Sequence, residues 1–118
     1  MASSTLIPST LERFLSLTSD REQTIASNMA NVDTPGYHTK DVNFKQALSM
    51  ASFEGGGPEL TTTVSDVRGL LERPDGNNVS MDREGMQLAK AQLQFKLGVQ
   101  LLKGEFSTVM SAINAESK

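Results

Sequence analysis

His38 is the one imidazole of the chain, and no second His or paired Asp/Glu stands at ligand spacing from it. That spacing predicts an exposed loop histidine and no metal centre. Asp82 and Glu84, separated by Arg83, have the form of an acid pair. They open a helical pattern, where carboxylates in the first turn offset the helix dipole, and this accounts for them without catalysis. There is no Ser-His-Asp order and no Gly-x-Ser-x-Gly, and the three glycines at 55–57 are not followed by Lys-Ser/Thr, so neither an activated nucleophile nor a phosphate cradle is supported. Cysteine is absent, which removes disulfides, thiolate ligands and a Cys nucleophile. The triplet Asn78-Val79-Ser80 matches a glycosylation acceptor, a pattern short enough to arise by chance. These residues predict a protein that is not an enzyme and carries no cofactor.

The informative chemistry is that of the backbone. In Ser27-Asn28-Met29-Ala30-Asn31-Val32-Asp33-Thr34-Pro35-Gly36-Tyr37 a helical pattern meets a stop. Pro35 disfavours α geometry at Thr34 and fixes its own φ, and Gly36 can take the positive φ that the third residue of a type II turn requires. Asn31 and Asp33 can end a helix and hydrogen-bond the backbone that follows. Arg73-Pro74-Asp75-Gly76-Asn77-Asn78 reads as a second strong turn.

These turns are held by two long helical patterns. Ser9 and Glu12 fit a capping box, with Pro8 just outside it, and open a helix expected over 9–32. Its stripe, Leu11, Leu15, Thr18, Glu22, Ile25, Met29 and Val32, alternates steps of four and three, with Phe14 and Leu17 widening its start. Ser80 is the expected N-cap of a second helix over 80–115, with the stripe Leu88, Gln92, Phe95, Val99, Leu102, Phe106, Val109 and Ile113 and a second row of Leu93, Leu97 and Leu101. Both stripes are narrow, coiled-coil-like seams rather than broad globular faces. Gly85, Gly98 and Gly104 lie inside the second helix, either as tolerated surface glycines or as points of close helix approach. The segment 33–79 is a turn and irregular insert, where 45–53 can form a short helix, 54–58 is a flexible break, and 60–64 can form a strand of a two-stranded element. The expected fold is mainly α: one unit over 1–118, with two long terminal amphipathic helices flanking a small irregular insert. Antiparallel pairing of the helices would cover one side of each seam and leave the rest for other chains.

At 118 residues with five Phe, one Tyr and no Trp, the chain has few large core anchors. Its net charge of −3 comes from mixed signs without a Lys/Arg cluster, which argues against nucleic acid and anionic membranes as partners. The N-terminal stretch lacks the basic start and apolar run of a cleaved signal peptide, and no stretch is apolar enough to insert directly in a membrane, so any role beyond the cytoplasm requires an exporter that leaves no cleavage.

The run from Ser27 to Tyr37 closely resembles the S-N-x-A-N-x-x-T-P-G-Y/F motif of bacterial flagellar rod and hook proteins, through Ser27, Asn28, Ala30, Asn31, Thr34, Pro35, Gly36 and Tyr37. The continuation Lys40-Asp41-Val42-Asn43-Phe44, and Asp75-Gly76-Asn77-Asn78-Val79 followed by Asp82-Arg83-Glu84, resembles the proximal rod group in particular. The nearest rod sibling has a Gly-Tyr-Val and Pro-Asn-Val pattern before its last helix, which is absent here, and Gly85 stands where a larger residue is commoner. The resemblance spans nearly the whole chain. It implies a structural axial subunit of the proximal rod of the bacterial flagellum basal body, made in the cytoplasm, exported unfolded by the flagellar type III apparatus, and polymerised across the periplasmic space to transmit torque for motility. It implies as partners other copies of the chain, other flagellar rod proteins, and the base of the rod near the MS ring and export gate. The assembly seams would be Leu11, Leu15, Ile25, Met29, Val32, Leu88, Phe95, Val99, Leu102, Phe106, Val109 and Ile113. Tyr37 and Phe44 are expected to wedge against neighbouring subunits, with the Asn28 and Asn31 amides in those contacts, or Tyr37 to serve local packing. The rival readings are a soluble helical adaptor or chaperone that grips a partner helix and, more distantly, an enzyme whose site forms on assembly.

Overall fold

Helix α1 spans Ala2–Ala30 and continues through Pro8 and Ser9, so Ser9 and Glu12 lie within the helix and form no capping box. Its last turn closes at Ala30, ahead of the expected Val32, because Asn31 takes over the exit: its N–H and its side-chain amide both donate to the Ser27 carbonyl, at 3.1 and 2.8 Å. The computed structural model describes residues 2–53 and 63–116, so the glycine break at 55–57 lies outside the described residues.

The insert carries strand β1 (Lys40–Val42), helix α2 (Phe44–Phe53) and strand β2 (Val64–Asp66). The strands pair antiparallel, Lys40 with Asp66 and Val42 with Val64, as the expected two-stranded element. The second strand lies C-terminal to the expected 60–64, sharing Val64 with it, while 60–62 fall outside the described residues. Register is fixed at both ends of this short ladder: Asn43 N–H donates to the Thr63 carbonyl and Val67 N–H to that of Thr39. Helix α2 docks on α1 through Phe44, whose ring meets Phe14 edge-on at 5.5 Å and lies under the Arg21 guanidinium at 4.6 Å.

Helix α3 (Met81–Glu116) begins as the sequence predicts, with the Ser80 hydroxyl accepting the Arg83 N–H at 3.2 Å. It runs antiparallel to α1, bringing Glu84 to Asn28 and Gly98 to Phe14 and Leu15. A Cβ at Gly98 would lie 2.8 Å from Leu15 Cδ2, so this glycine is a point of close helix approach; Gly85 and Gly104 have nothing within 4 Å of theirs. The molecule is an elongated pair of helices with the insert at one end, 70 × 25 × 18 Å.

Burial is uneven along the pair. Among the described residues Leu17, Ile25, Val42, Ala47, Val79 and Ala91 form the apolar core, accompanied by the buried polar residues Thr18, Asn28, Thr39, Asn77, Asn78 and Glu84. Thr18, a polar interruption in the N-terminal stripe, is satisfied within its own helix by donating to the Phe14 carbonyl at 2.8 Å. The side of α3 turned to α1 is therefore set by Glu84, Ala91 and Gly98, a small and polar row one step beside the expected apolar seam. From Lys103 to Ala115, α3 is exposed apart from a half-buried Glu105.

Candidate functional site

The two motifs, distant in sequence, meet at the insert end of the helix pair. The turn at Thr34–Tyr37 closes as expected, with Tyr37 N–H donating to the Thr34 carbonyl at 3.1 Å and Gly36 at φ +76°. Gly36 N–H donates across to the Asp75 carbonyl at 2.9 Å. Opposite it, Gly76 has φ +85°, and a Cβ there would stand 3.3 Å from Gly36 Cα. The two glycine turns are thus pressed back to back, and Gly76 needs its missing side chain for both conformation and space.

Three buried carboxamides fasten this junction. Asn28, fully buried, donates to the Lys40 carbonyl at 2.8 Å and to Glu84 Oε2 at 3.2 Å, while its Oδ1 accepts from Tyr37 Oη at 3.0 Å and Lys40 N–H at 3.1 Å. A primary amide has two donors and two acceptor lone pairs, and all four are used. Asn77 donates to the carbonyls of Asn31 at 2.9 Å and Thr34 at 2.8 Å and accepts from Val79 N–H at 2.8 Å. Those two carbonyls belong to the exit of α1, so Asn77 fixes the start of α3 to the end of α1. Asn78 completes the set, its Oδ1 accepting Thr39 N–H at 2.6 Å and its carbonyl accepting the Thr39 hydroxyl at 3.2 Å. Asn78 is buried, so the glycosylation triplet is a structural asparagine.

Glu84 differs from the sequence reading. It is a fully buried carboxylate held by Asn28 and by Arg83 Nη1 at 2.8 Å, not a surface charge offsetting a dipole, whereas Asp82 stays exposed in the first turn. Phe44, expected to wedge against neighbours, is used inside the chain on Phe14 and Arg21, and Tyr37, expected either to wedge or to serve local packing, bonds locally to Asn28. Of the first motif, Ser27, Ala30, Thr34, Pro35 and Gly36 have exposed side chains or backbone; Ser27 and Thr34 contribute carbonyls, and the Thr34 hydroxyl donates to Asn31 Oδ1 at 3.0 Å. Of the second, Asp75 accepts Asn77 N–H on its carboxylate at 3.0 Å, and Val79 is buried.

Sequence reasoning missed Thr39, Ala91 and Arg73, whose guanidinium donates to the carbonyls of Val79, at 3.1 Å, and Val32. The spacing of Glu84, Ala91 and Gly98 at one heptad carries the signal for an inward face of small residues. His38 lies between Asp66 and Glu72, 4.0 and 3.9 Å from opposite ring nitrogens, an arrangement that converges on no common ligand point. Among the described residues no group of three His, Asp or Glu could hold a metal ion. Lys40 and Asp66 pair across the strands at 2.9 Å; the hydrogen bond to Asp66 raises the Lys40 ammonium above its ordinary pKa, and the same bond lowers that of Asp66.

The expected seam residues divide. Ile25 is buried and Leu11, Leu15, Met29, Val32, Leu88, Val99 and Leu102 are half-buried within the chain. Phe95, Phe106, Val109 and Ile113 remain exposed, as do Leu93, Leu97 and Leu101. Glu12, Leu102, Lys103, Glu105, Phe106 and Val109 line an open groove of about 460 Å³ at the end of the pair remote from the insert. No helix among the described residues is long and apolar enough to cross a membrane.

Residues 13–38, which hold the whole of the first motif, match the family described as Flagella basal body rod protein. The chain is 31% identical over 116 residues to the flagellar basal body rod protein FlgB of Aeromonas hydrophila, covering 86% of this chain and 88% of the relative. It is 33% identical over 119 residues to FlgB of Salmonella typhimurium, covering 84% and 86%. The FlgB of Bacillus subtilis is 27% identical over 120 residues, covering 87% and 89%.

Proposed function

Because this chain belongs to the FlgB family of flagellar basal body rod proteins and is a structural part of the rod, we propose that it serves there as an axial subunit of the proximal rod. In this reading it is synthesised in the cytoplasm, leaves through the flagellar type III apparatus without a cleaved signal peptide, and polymerises through α1 and α3 across the periplasmic space. Its neighbours are other copies of itself and other rod proteins, near the MS ring and export gate, and the tube passes motor torque outward.

The observation that carries this reading is the apolar surface α1 leaves uncovered on α3. Phe106 is 67% exposed, Leu93 68% and Ile113 53%. An isolated helix pair gains nothing from presenting such residues to water, while burying each fully against a neighbour is worth about 1.5–3 kcal/mol. The polar junction, by contrast, is satisfied inside the chain and offers its bonds to no partner.

The test is a tagged chain expressed in a strain lacking its own copy, followed by purification of basal bodies and a density map of the rod. Density for this chain at the base of the rod supports the reading. Its absence from basal bodies, with recovery in a soluble complex with one other protein, supports instead an adaptor that grips a partner helix.

A further inference from the structure

We infer that Asn28 and Asn77 are positioning residues that set the axial register of α1 against α3. The apolar contacts cannot do this alone. On α3, Leu88, the exposed Phe95 and Leu102 recur at heptad spacing, as do Ala91 and Gly98 behind Glu84; on α1, Leu11, Thr18 and Ile25 recur in the same way, with Val32 just past the helix end. Sliding α3 by a heptad exchanges Leu88, Phe95 and Leu102 for one another, large apolar for large apolar, and such a row resists the slide only weakly.

The two directions of slide are not equivalent. One brings Glu105 to Phe14 and Leu15, where a Cβ would lie 2.8 Å from Leu15 Cδ2, and sterics oppose it strongly. The other brings Ala91 there, whose Cβ meets the same contact but carries nothing beyond it, so sterics oppose this slide less. What further opposes that second slide is polar. It would take Glu84 away from Asn28, and Asn77 away from the Asn31 and Thr34 carbonyls, stranding groups that are buried and bonded in the native register. The polar cluster occurs once along the pair and so distinguishes registers that the repeating seam does not, as a single buried asparagine does in a coiled coil. Register is a property of the single chain and holds or fails independently of the rod reading.

The absence of cysteine allows spin labels at introduced cysteines in the full chain. Labels at exposed Gln23 and Gln100 lie apart along the axis, so the disfavoured slide lengthens their separation by about 10 Å, one heptad at 1.5 Å per residue. Wild type should give one narrow distance, and Asn28→Ala with Asn77→Ala a second population longer by that amount. An unchanged narrow distance in the variant, or a broad one in wild type, overturns the inference. Should the double alanine variant lose its helicity, a second pair decides. Asn28→Asp sets a carboxylate against Glu84 and should broaden the distance; adding Glu84→Gln restores a hydrogen bond between the two side chains, though not the one Asn28 gives the Lys40 carbonyl, and should narrow the distance again. Failure of Glu84→Gln to narrow it also overturns the inference.

Discussion

The residues that matter most singly are those whose backbone or polar groups have one acceptable surrounding. Gly76 holds φ +85° and faces Gly36 Cα at 3.3 Å from where a Cβ would stand, while Gly36 holds φ +76° with open space around it. An alanine is therefore strained at both positions and crowded at Gly76 alone. We expect Gly36→Ala to cost about 1–3 kcal/mol and Gly76→Ala more, read as midpoint shifts in urea unfolding. Equal losses would mean that the back-to-back packing of the turns contributes nothing. Tyr37→Phe removes one of two donors to Asn28 Oδ1 and leaves the Lys40 N–H in place, so it should cost only about 1 kcal/mol. Much of this turn was legible, since Pro35-Gly36 and Asp75-Gly76 announce their conformations through the residues themselves. Their docking on each other was not, because a long-range hydrogen bond from Asn77 to Asn31 and Thr34 leaves no periodic trace in the chain.

At the scale of elements, the glycines of α3 separate helix propensity from helix packing. Gly98→Ala inserts a methyl group 2.8 Å from Leu15 Cδ2 and about 3.0 Å from the Phe14 ring, and should force α1 away. Gly104→Ala meets nothing and should stabilise the helix by about 0.5–1 kcal/mol. Opposite signs in thermal unfolding are the expected result. Periodicity revealed that α3 exists and nearly where it begins and ends, but misplaced its inward face. A stripe of Leu, Phe and Val draws the eye to the apolar edge, whereas close approach is made by Glu84, Ala91 and Gly98, which score low on any hydrophobic reading. The strand pair adds a pH dependence. Asp66 has a lowered pKa in the fold, so its contribution is present above its unfolded pKa and is lost as pH falls through the lowered value. Lys40 has a raised one, so its contribution is present below its unfolded pKa and is lost as pH rises through the raised value. The pair should thus be intact throughout neutral pH. Because both groups are exposed, the acid-side loss should be small, abolished in Asp66→Asn, and weakened by salt.

Over the whole molecule, order and incompleteness occupy opposite ends. The insert end closes on itself through Asn28, Asn77 and Glu84, while the remote end leaves Phe106, Val109, Met110 and Ile113 exposed beside an open groove. A subunit built this way can keep its internal geometry fixed and still present one apolar end to neighbours. Val99, central in the expected seam, is half-buried within the chain, so a charge there would disturb folding and assembly together. Phe106 separates the two. In the single chain it is 67% exposed, and Phe106→Asp faces water, so helicity and unfolding midpoint should stay within about 0.5 kcal/mol of wild type. In the proposed tube, with this end of α3 against a neighbour, the same carboxylate would be buried without a partner in every copy, at a cost of several kcal/mol each. Phe106→Asp protein should therefore fold normally, fail to enter purified basal bodies and abolish swimming, while Phe106→Leu enters and swims. Recovery of Phe106→Asp subunits in basal bodies at the wild-type level would mean that this end of α3 faces solvent in the rod, and that the subunits join through some other surface.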